Sequence, residues 1–308
     1  MKILIPELIH AQSLERLRAE HEVVFDPTLF LRHDELLIQA QDADAIIVRA
    51  RTQIRGDLLD ALKVCKAVGR LGVGLDNIDV PACQARGIEV IPAIGANARS
   101  VAEYVITCAL LLLRYSHFSV SHALSEGQWT RPAIPEGYEV EGRTFGIIGF
   151  GSIGRLTGRL ASRLDMRVVA YDPSPLPAAS SDFECQMLTL DEVLACSDVV
   201  SLHVPLLPET QGLINADRLA LMKPGSVLIN AARGGIVDEP ALAQALKAGH
   251  LQAAALDVFD DEPLPSGSVL AGVPNLLLTP HIAGVTADSE LRVGELVSDR
   301  ILQLLKSA

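Results

Sequence analysis

An apolar, partly β-branched run, Thr144 to Ile148, breaks into Gly149-Phe150-Gly151-Ser152-Ile153-Gly154, and an amphipathic segment follows to about Leu164. Few sequence features restrict a fold more. G-x-G-x-x-G between a strand and a helix belongs to a parallel βαβ unit with a turn too tight for side chains. Gly149 permits the turn, Gly151 lets the backbone approach a pyrophosphate, and Gly154 lets helix and strand pack closely. The first amides of the helix then receive the anion. The next strand, Arg167–Tyr171, ends at Asp172, about 20 residues past the motif, where an acid can accept hydrogen bonds from ribose hydroxyls. Asp172 would repel a 2′-phosphate, and no Arg or Lys follows it between Pro173 and Ala179, so the pattern predicts NAD rather than NADP.

The rest of the chain extends this theme. Its 308 residues suffice for two domains, and 49% hydrophobic against 21% charged residues excludes a disordered chain. Acids outnumber bases 38 to 26, a formal charge of −12. That balance argues against nucleic acid and against anionic lipid as partners. Five scattered cysteines, Cys65, Cys83, Cys108, Cys185 and Cys196, form no C-x-x-C pair, which predicts reduced core thiols in a cytoplasmic protein and no metal site. The N-terminal apolar run is too short for a signal peptide, and Val105 to Leu113 is about half of a membrane span.

Short β-branched runs alternate with amphipathic segments, which predicts an α/β chain with parallel sheets. Strands are expected at Lys2–Pro6, Glu22–Phe25, Ala45–Arg49, Ala67–Leu71, Ile88–Ile91, Thr144–Phe150, Arg167–Tyr171, Asp198–Val204, Ser226–Asn230, Ala253–Leu256 and Asn275–Leu278. The longest helical pattern is Ser100–Phe118, capped by Asn97 or Ser100 with Glu103 completing a capping box. Ser119–Arg143, holding Trp129, Pro132 and Pro135, loses periodicity and reads as a functional or interfacial arm. A final amphipathic helix, about Ala287 to Leu305, could pack back on the first domain. The expectation is two doubly wound, Rossmann-like domains. Residues 98–284 form the NAD-binding domain, inserted into a substrate-binding, flavodoxin-like domain of residues 1–97 plus 285–308.

Three later segments carry ionisable residues just past predicted strands. They are Asn230-Ala231-Ala232-Arg233-Gly234-Gly235, Asp257-Val258-Phe259-Asp260-Asp261-Glu262-Pro263 and Thr279-Pro280-His281-Ile282-Ala283-Gly284. Ligands of open α/β sheets sit at the carboxyl ends of strands, so all three point to the nucleotide side. With Gly69 to Asp79 and Asn97 to Glu103, these segments resemble the D-isomer-specific 2-hydroxyacid dehydrogenase family, from about residue 46 to 284. The resemblance is to phosphoglycerate and sulfolactate dehydrogenase-like members, in a short form without the C-terminal regulatory extension. It implies an NAD-dependent oxidoreductase. Arg233 would bind the substrate carboxylate and polarise the keto oxygen. His281 would be the general acid and base, with Glu262 holding the imidazole and raising its proton affinity. The backbone of Gly72, Val73 and Gly74 would cradle the carboxylate. Ser152, Ile153, Val204, Pro205, Ala231, Asp257 and Gly284 would join Gly149, Gly151, Gly154 and Asp172 at the NAD site. His203 receives no chemistry, and Asp260 and Asp261 read as surface acids.

The substrate side is suggested by Arg49 and Arg51, past the strand Ala45–Val48, and by Arg70. The resemblance places Arg49 and Arg70 where a substrate phosphate can be met, and Arg51 adds a third cation. The bland alternative is that Arg49 or Arg51 pairs with Asp42 or Asp44. The expected substrate is a short 2-hydroxy acid with a second anionic group, such as 3-phosphoglycerate or 3-sulfolactate. The competing expectations are a glyoxylate or hydroxypyruvate reductase and a non-enzymatic, NAD-sensing corepressor-like protein. A two-fold homodimer is expected through the Ser100–Phe118 helix and the arm, and domain closure with hinges near Ala96–Arg99 and Ala283–Ala287.

Overall fold

The structure, a computed structural model, describes residues 1–114, 124–129, 136–174 and 183–307. The chain divides into two compact units, Met1–Asn97 with Val285–Ala308, and Ala98–Gly284. Each is built on a parallel sheet.

In the first unit the strands are β1 (Lys2–Ile5), β2 (Glu22–Phe25), β3 (Ala45–Val48), β4 (Ala67–Arg70) and β5 (Glu89–Pro92), in the spatial order β2-β1-β3-β4-β5. Helices α1 (Ala11–Arg18), α2 (His33–Ala40), α3 (Gly56–Ala61) and α4 (Val80–Ala85) connect them. Strand β3, Ala-Ile-Ile-Val, is buried throughout, because a sheet covered on both faces needs continuous apolar runs. The alternation of side chains separates two cores. Ile3, Ile5, Ala45 and Ile47 join one, while Leu4, Ile46 and Val48 join the other.

The second unit contains α5 (Ala98–Leu112), β6 (Thr144–Ile148), α6 (Ser152–Ser162), β7 (Arg167–Tyr171), β8 (Gln186–Met187), α7 (Leu190–Cys196), β9 (Val199–Leu202), α8 (Ala216–Leu221), β10 (Val227–Asn230), α9 (Glu239–Lys247), β11 (Ala253–Leu256) and β12 (Leu276–Leu278). Its sheet runs β12-β11-β10-β9-β6-β7-β8. From β6 the chain proceeds outward to β7 and β8, and from β9 outward the other way to β12. The topological switch point therefore lies between β6 and β9, where open α/β sheets bind ligands. Ala253 and Ala255 of β11 share a core with Val101, Val105 and Cys108 of α5, and Ala254 faces the opposite core. Alanines at these positions leave room for a helix to lie close to the sheet.

After Gly284 the chain returns to the first unit as α10 (Ala287–Ser307), whose Val293, Val297, Ile301, Leu302 and Leu305 repeat at helical spacing and enter the core shared with β1 and β3. Among the described residues α10 is the longest helix, with 21 residues against 15 for α5, so the expected primacy of the Ser100–Phe118 segment is corrected. Positions 115–118 of that segment, and 119–123 and 130–135 of the arm, lie outside the described residues; Trp129 is described and exposed.

The expected capping box at α5 is also corrected. The helix begins at Ala98, so Ser100 is a buried first-turn residue, and Glu103 pairs with Arg99 one turn away. Asn97 Oδ1 is buried and accepts no hydrogen bond among the described residues. The capping box that does form joins Thr189 and Glu192 at the start of α7, in the same T-x-x-E pattern. Helix α2 and strand β8 were not read from the sequence. The first follows loop-like residues, and the second is an exposed two-residue edge strand.

Gly69 of β4 is the point where α10 meets the sheet. A Cβ there would lie 2.6 Å from Val297 Cγ1 and 3.3 Å from Ile47 Cγ1. Gly69→Ala should therefore cost about 1–3 kcal/mol by overpacking and lower the thermal midpoint, measured by circular dichroism. An unchanged midpoint would mean that α10 yields without cost.

Candidate active site

The switch-point turn has the geometry its sequence predicts. Gly149 adopts φ 97°, and a Cβ on it would meet the His203 carbonyl carbon and oxygen at 2.7 Å. A Cβ on Gly154 would lie 2.1 Å from Gly149 O, so only glycine lets α6 start this close to β6. Gly151 differs from both, because a Cβ there would meet nothing within 4 Å. Its backbone faces open space. Gly151 is also the N-cap of α6 and supplies no side-chain cap, which leaves first-turn amides available to an anion. These features fit a dinucleotide pyrophosphate. Asp172, past β7, accepts hydrogen bonds from Phe150 N at 2.7 Å through Oδ2 and from Ser174 N at 2.9 Å through Oδ1, which fixes the carboxylate beside the turn. Ser152 is exposed, Ile153 and Ala231 are half-buried, Val204 is buried and Pro205 exposed at the end of β9. His203 bonds Ser201 Oγ at 3.0 Å through Nε2, and burial pushes its imidazole down to about 4, so it stays neutral at physiological pH.

Arg233, Glu262 and His281 follow β10, β11 and β12 at the same edge of the sheet. His281 Nδ1 lies 2.8 Å from Glu262 Oε2. A carboxylate only accepts, so Nδ1 carries the proton and Nε2 is left for a substrate. Half of the His281 side chain is exposed (52%). Glu262 Oε1 accepts from Phe259 N at 3.1 Å, which orients the second oxygen toward the imidazole.

Two further residues hold this pair. Asp257, 1% exposed, accepts Thr279 Oγ1 at 2.6 Å and Ile282 N at 2.8 Å through Oδ1, and Ala283 N at 2.7 Å through Oδ2. Its own carbonyl accepts His281 N at 2.8 Å. The carboxylate thus organises the loop on which His281 adopts φ 56°, a conformation uncommon for a residue with a Cβ. Tyr104 of α5 lies behind it, its hydroxyl 2.6 Å from Thr279 Oγ1. Because Thr279 donates to Asp257, Tyr104 donates to Thr279. Sequence reasoning had Asp257 lining the NAD site and missed Tyr104 and this network. An apolar helix gives no signal that one hydroxyl will reach across to a loop.

Arg233 sits on a loop clamped by Asn230, whose Nδ2 donates to Arg233 O at 2.9 Å and whose Oδ1 accepts from Ala232 N at 3.0 Å. A Cβ on Gly234 would lie 1.7 Å from Phe259 O, so this loop rests directly on the one carrying Glu262. Asp260 is exposed, as its reading as a surface acid expects, and in addition its Oδ1 accepts Gly235 N at 2.7 Å and its own amide donates to Glu239 at 2.9 Å. It ties the two loops together. Burial pushes the Glu239 carboxyl up from its usual range.

The first unit has its own switch point, between β1 and β3. There buried Glu7 accepts from Arg49 N and Thr52 N through Oε1, at 2.9 and 3.0 Å, and from Arg51 N through Oε2 at 3.1 Å. Asn77 Nδ2 donates to Arg49 O and Thr52 O. Neither Glu7 nor Asn77 was singled out from sequence. The Arg49 guanidinium pairs with Glu290 of α10 at 2.6 Å, whereas Asp42 and Asp44 both bond Lys2, so the anticipated surface pairing does not form. Arg51 is exposed. Arg70 donates to Leu71 O at 2.7 Å, and Gly72 follows it at φ 154°, a backbone conformation that favours glycine. Gly72, Val73 and Gly74 are half-buried past β4. No helix among the described residues is long and apolar enough to cross a membrane, and no cluster of three or more His, Cys, Asp or Glu there could hold a metal.

Known proteins carry the same architecture. The family profile described as D-isomer specific 2-hydroxyacid dehydrogenase, NAD binding domain, matches residues 107–283. The (S)-sulfolactate dehydrogenase of Chromohalobacter salexigens is 46% identical over 305 residues, covering 98% of both chains. The D-3-phosphoglycerate dehydrogenase of Archaeoglobus fulgidus is 37% identical over 306 residues, 99% of this chain but only 58% of that one. A Thermus thermophilus crystal structure superposes with a TM-score of 0.90 at 35% identity, covering 100% of this chain and 97% of the other. With its glycine turn, NAD-binding domain and two parallel sheets, the chain belongs to the D-isomer specific 2-hydroxyacid dehydrogenase family of NAD-dependent oxidoreductases acting on CH–OH groups.

Proposed function

We propose that the protein interconverts a short 2-hydroxy acid bearing a second anionic group, of 3-sulfolactate or 3-phosphoglycerate type, with its 2-keto acid. The observation that carries the chemistry is the His281–Glu262 pair, 2.8 Å apart at the carboxyl edge of the sheet that holds the glycine turn. NAD, when bound, supplies or accepts the hydride. His281 protonates the keto oxygen from Nε2 during reduction and removes the hydroxyl proton during oxidation. Glu262 fixes the ring and offsets the charge of the imidazolium. The planar guanidinium of Arg233 grips the substrate carboxylate and polarises the carbonyl. Gly72, Val73 and Gly74 present backbone amides to the same carboxylate. Ser152, Ile153, Gly154, Asp172, Val204, Pro205, Ala231, Asp257 and Gly284 serve the cofactor, and α5 serves a two-fold homodimer.

The second anionic group is supported by Arg49 and Arg51 past β3, and by the likeness to a sulfolactate and a phosphoglycerate dehydrogenase. Asp172 favours NAD over NADP, against the glyoxylate reductase alternative. In a panel of 3-sulfolactate, 3-phosphoglycerate, lactate and glycerate with NAD, the anionic pair should be preferred. Arg51→Ala should raise KM for that pair about tenfold, in line with removing one charge-assisted contact. A preference for lactate or glycerate with KM untouched by Arg51→Ala would refute the substrate assignment.

His281→Ala should lower kcat by about 10²–10⁴-fold with little change in KM for NADH. Retention of most turnover would remove His281 from the mechanism. Asp257→Asn turns an amide NH₂ toward backbone donors, and should lower kcat by roughly 10²-fold through displacement of the His281 loop. A wild-type rate in this variant would show that the loop holds without the carboxylate.

A further inference from the structure

The Arg49–Thr52 loop differs from an open phosphate-binding turn. Its amides at Arg49, Arg51 and Thr52 are all turned inward onto the buried Glu7 carboxylate, so these three donors are not offered to an anion. What remains is two guanidiniums, and one is already engaged. Arg49 Nη2 lies 2.6 Å from Glu290 Oε1, with the two side chains only 29% and 27% exposed. The partial burial keeps this pair less screened than an open surface pair. The charge of Arg49 is therefore offset by that of Glu290, while Arg51 is exposed. Arg70 is turned onto its own loop at Leu71 O.

We propose that Glu290 is a specificity-determining residue: it sets the charge this loop accepts, so that the substrate's second anionic group carries one negative charge rather than two. The proposal rests on the reading that Arg49 and Arg51 receive that group. A sulfonate or carboxylate brings a single charge, whereas a phosphate monoester brings about −1.5 to −2 at neutral pH. A dianion must approach a guanidinium whose positive charge a neighbouring carboxylate already offsets, and that carboxylate repels it. Rejection by a built-in like charge is a recurrent means of discrimination.

The test compares wild type with Glu290→Gln, which keeps the side-chain length and an acceptor oxygen for Arg49 but removes the charge. The quantity read is the ratio of kcat/KM for 3-phosphoglycerate to that for 3-sulfolactate in NAD reduction. Because both substrates use the same enzyme, the ratio cancels changes in its acid–base groups and in folded fraction. Wild type should favour the sulfonate. Its ratio should rise several-fold from pH 8 to pH 6, as the phosphate takes up its second proton near pH 6. Glu290→Gln, and Glu290→Ala as a second variant, should raise the ratio at pH 8 by about tenfold and flatten its pH dependence. A ratio in both variants within twofold of wild type, or a wild type favouring the phosphate, overturns the role of Glu290 while both anionic substrates still turn over. Turnover confined to lactate or glycerate would instead remove the anion-binding reading itself, and the proposal with it.

Discussion

One buried carboxylate organises the reactive edge of the second unit. Asp257 accepts three hydrogen bonds from the segment Thr279–Ala283, and its carbonyl accepts a fourth from His281. A buried carboxylate with its oxygens occupied by donors is stable where a bare one is not. Its removal would free the loop that holds His281 in a left-handed conformation, and with it the 2.8 Å contact to Glu262. Tyr104 extends the same network into α5, so a helix distant in sequence supports the geometry of the His281–Glu262 pair.

Glycines do the complementary work. Gly234 lets the Arg233 loop lie on Phe259, and Gly154 lets α6 close on Gly149. At both positions the neighbouring atom is backbone, which cannot rotate away as a side chain could. Glu262 and His281 are thus brought together, and the loop carrying Arg233, whose Nη1 donates to Ala232 O at 2.7 Å, rests against the Glu262 loop, with apolar cores behind the sheet. Asp260 illustrates how an exposed acid contributes through a single bond to a backbone amide, Gly235 N.

Much of this was legible from sequence because it rests on local patterns. The apolar run Thr144–Ile148 and the G-x-G-x-x-G turn specify a strand, its tight turn and the following helix. The carboxyl-end placement of Arg233, Glu262 and His281 follows from parallel topology. What escaped detection is non-local. Glu7 and Asn77 clamp a loop 25 or more positions away, Tyr104 reaches Thr279, and Glu290 reaches Arg49. Nothing in the flanking residues encodes those encounters. The misplaced capping box has a related cause, since Ser100–Glu103 satisfies the same spacing rule as Thr189–Glu192, and only the backbone entering each helix decides which forms.

The proposed chemistry requires that an imidazole backed by an acid and a planar guanidinium act on one keto group. A crystal structure with NADH and oxalate, a keto-acid mimic that cannot accept hydride, examines it most directly. His281 Nε2 and the Arg233 guanidinium should both lie within hydrogen-bond distance of the oxalate oxygens, with Glu262 still on Nδ1. Oxalate bound elsewhere, or contacted by only one of the two groups, would contradict it.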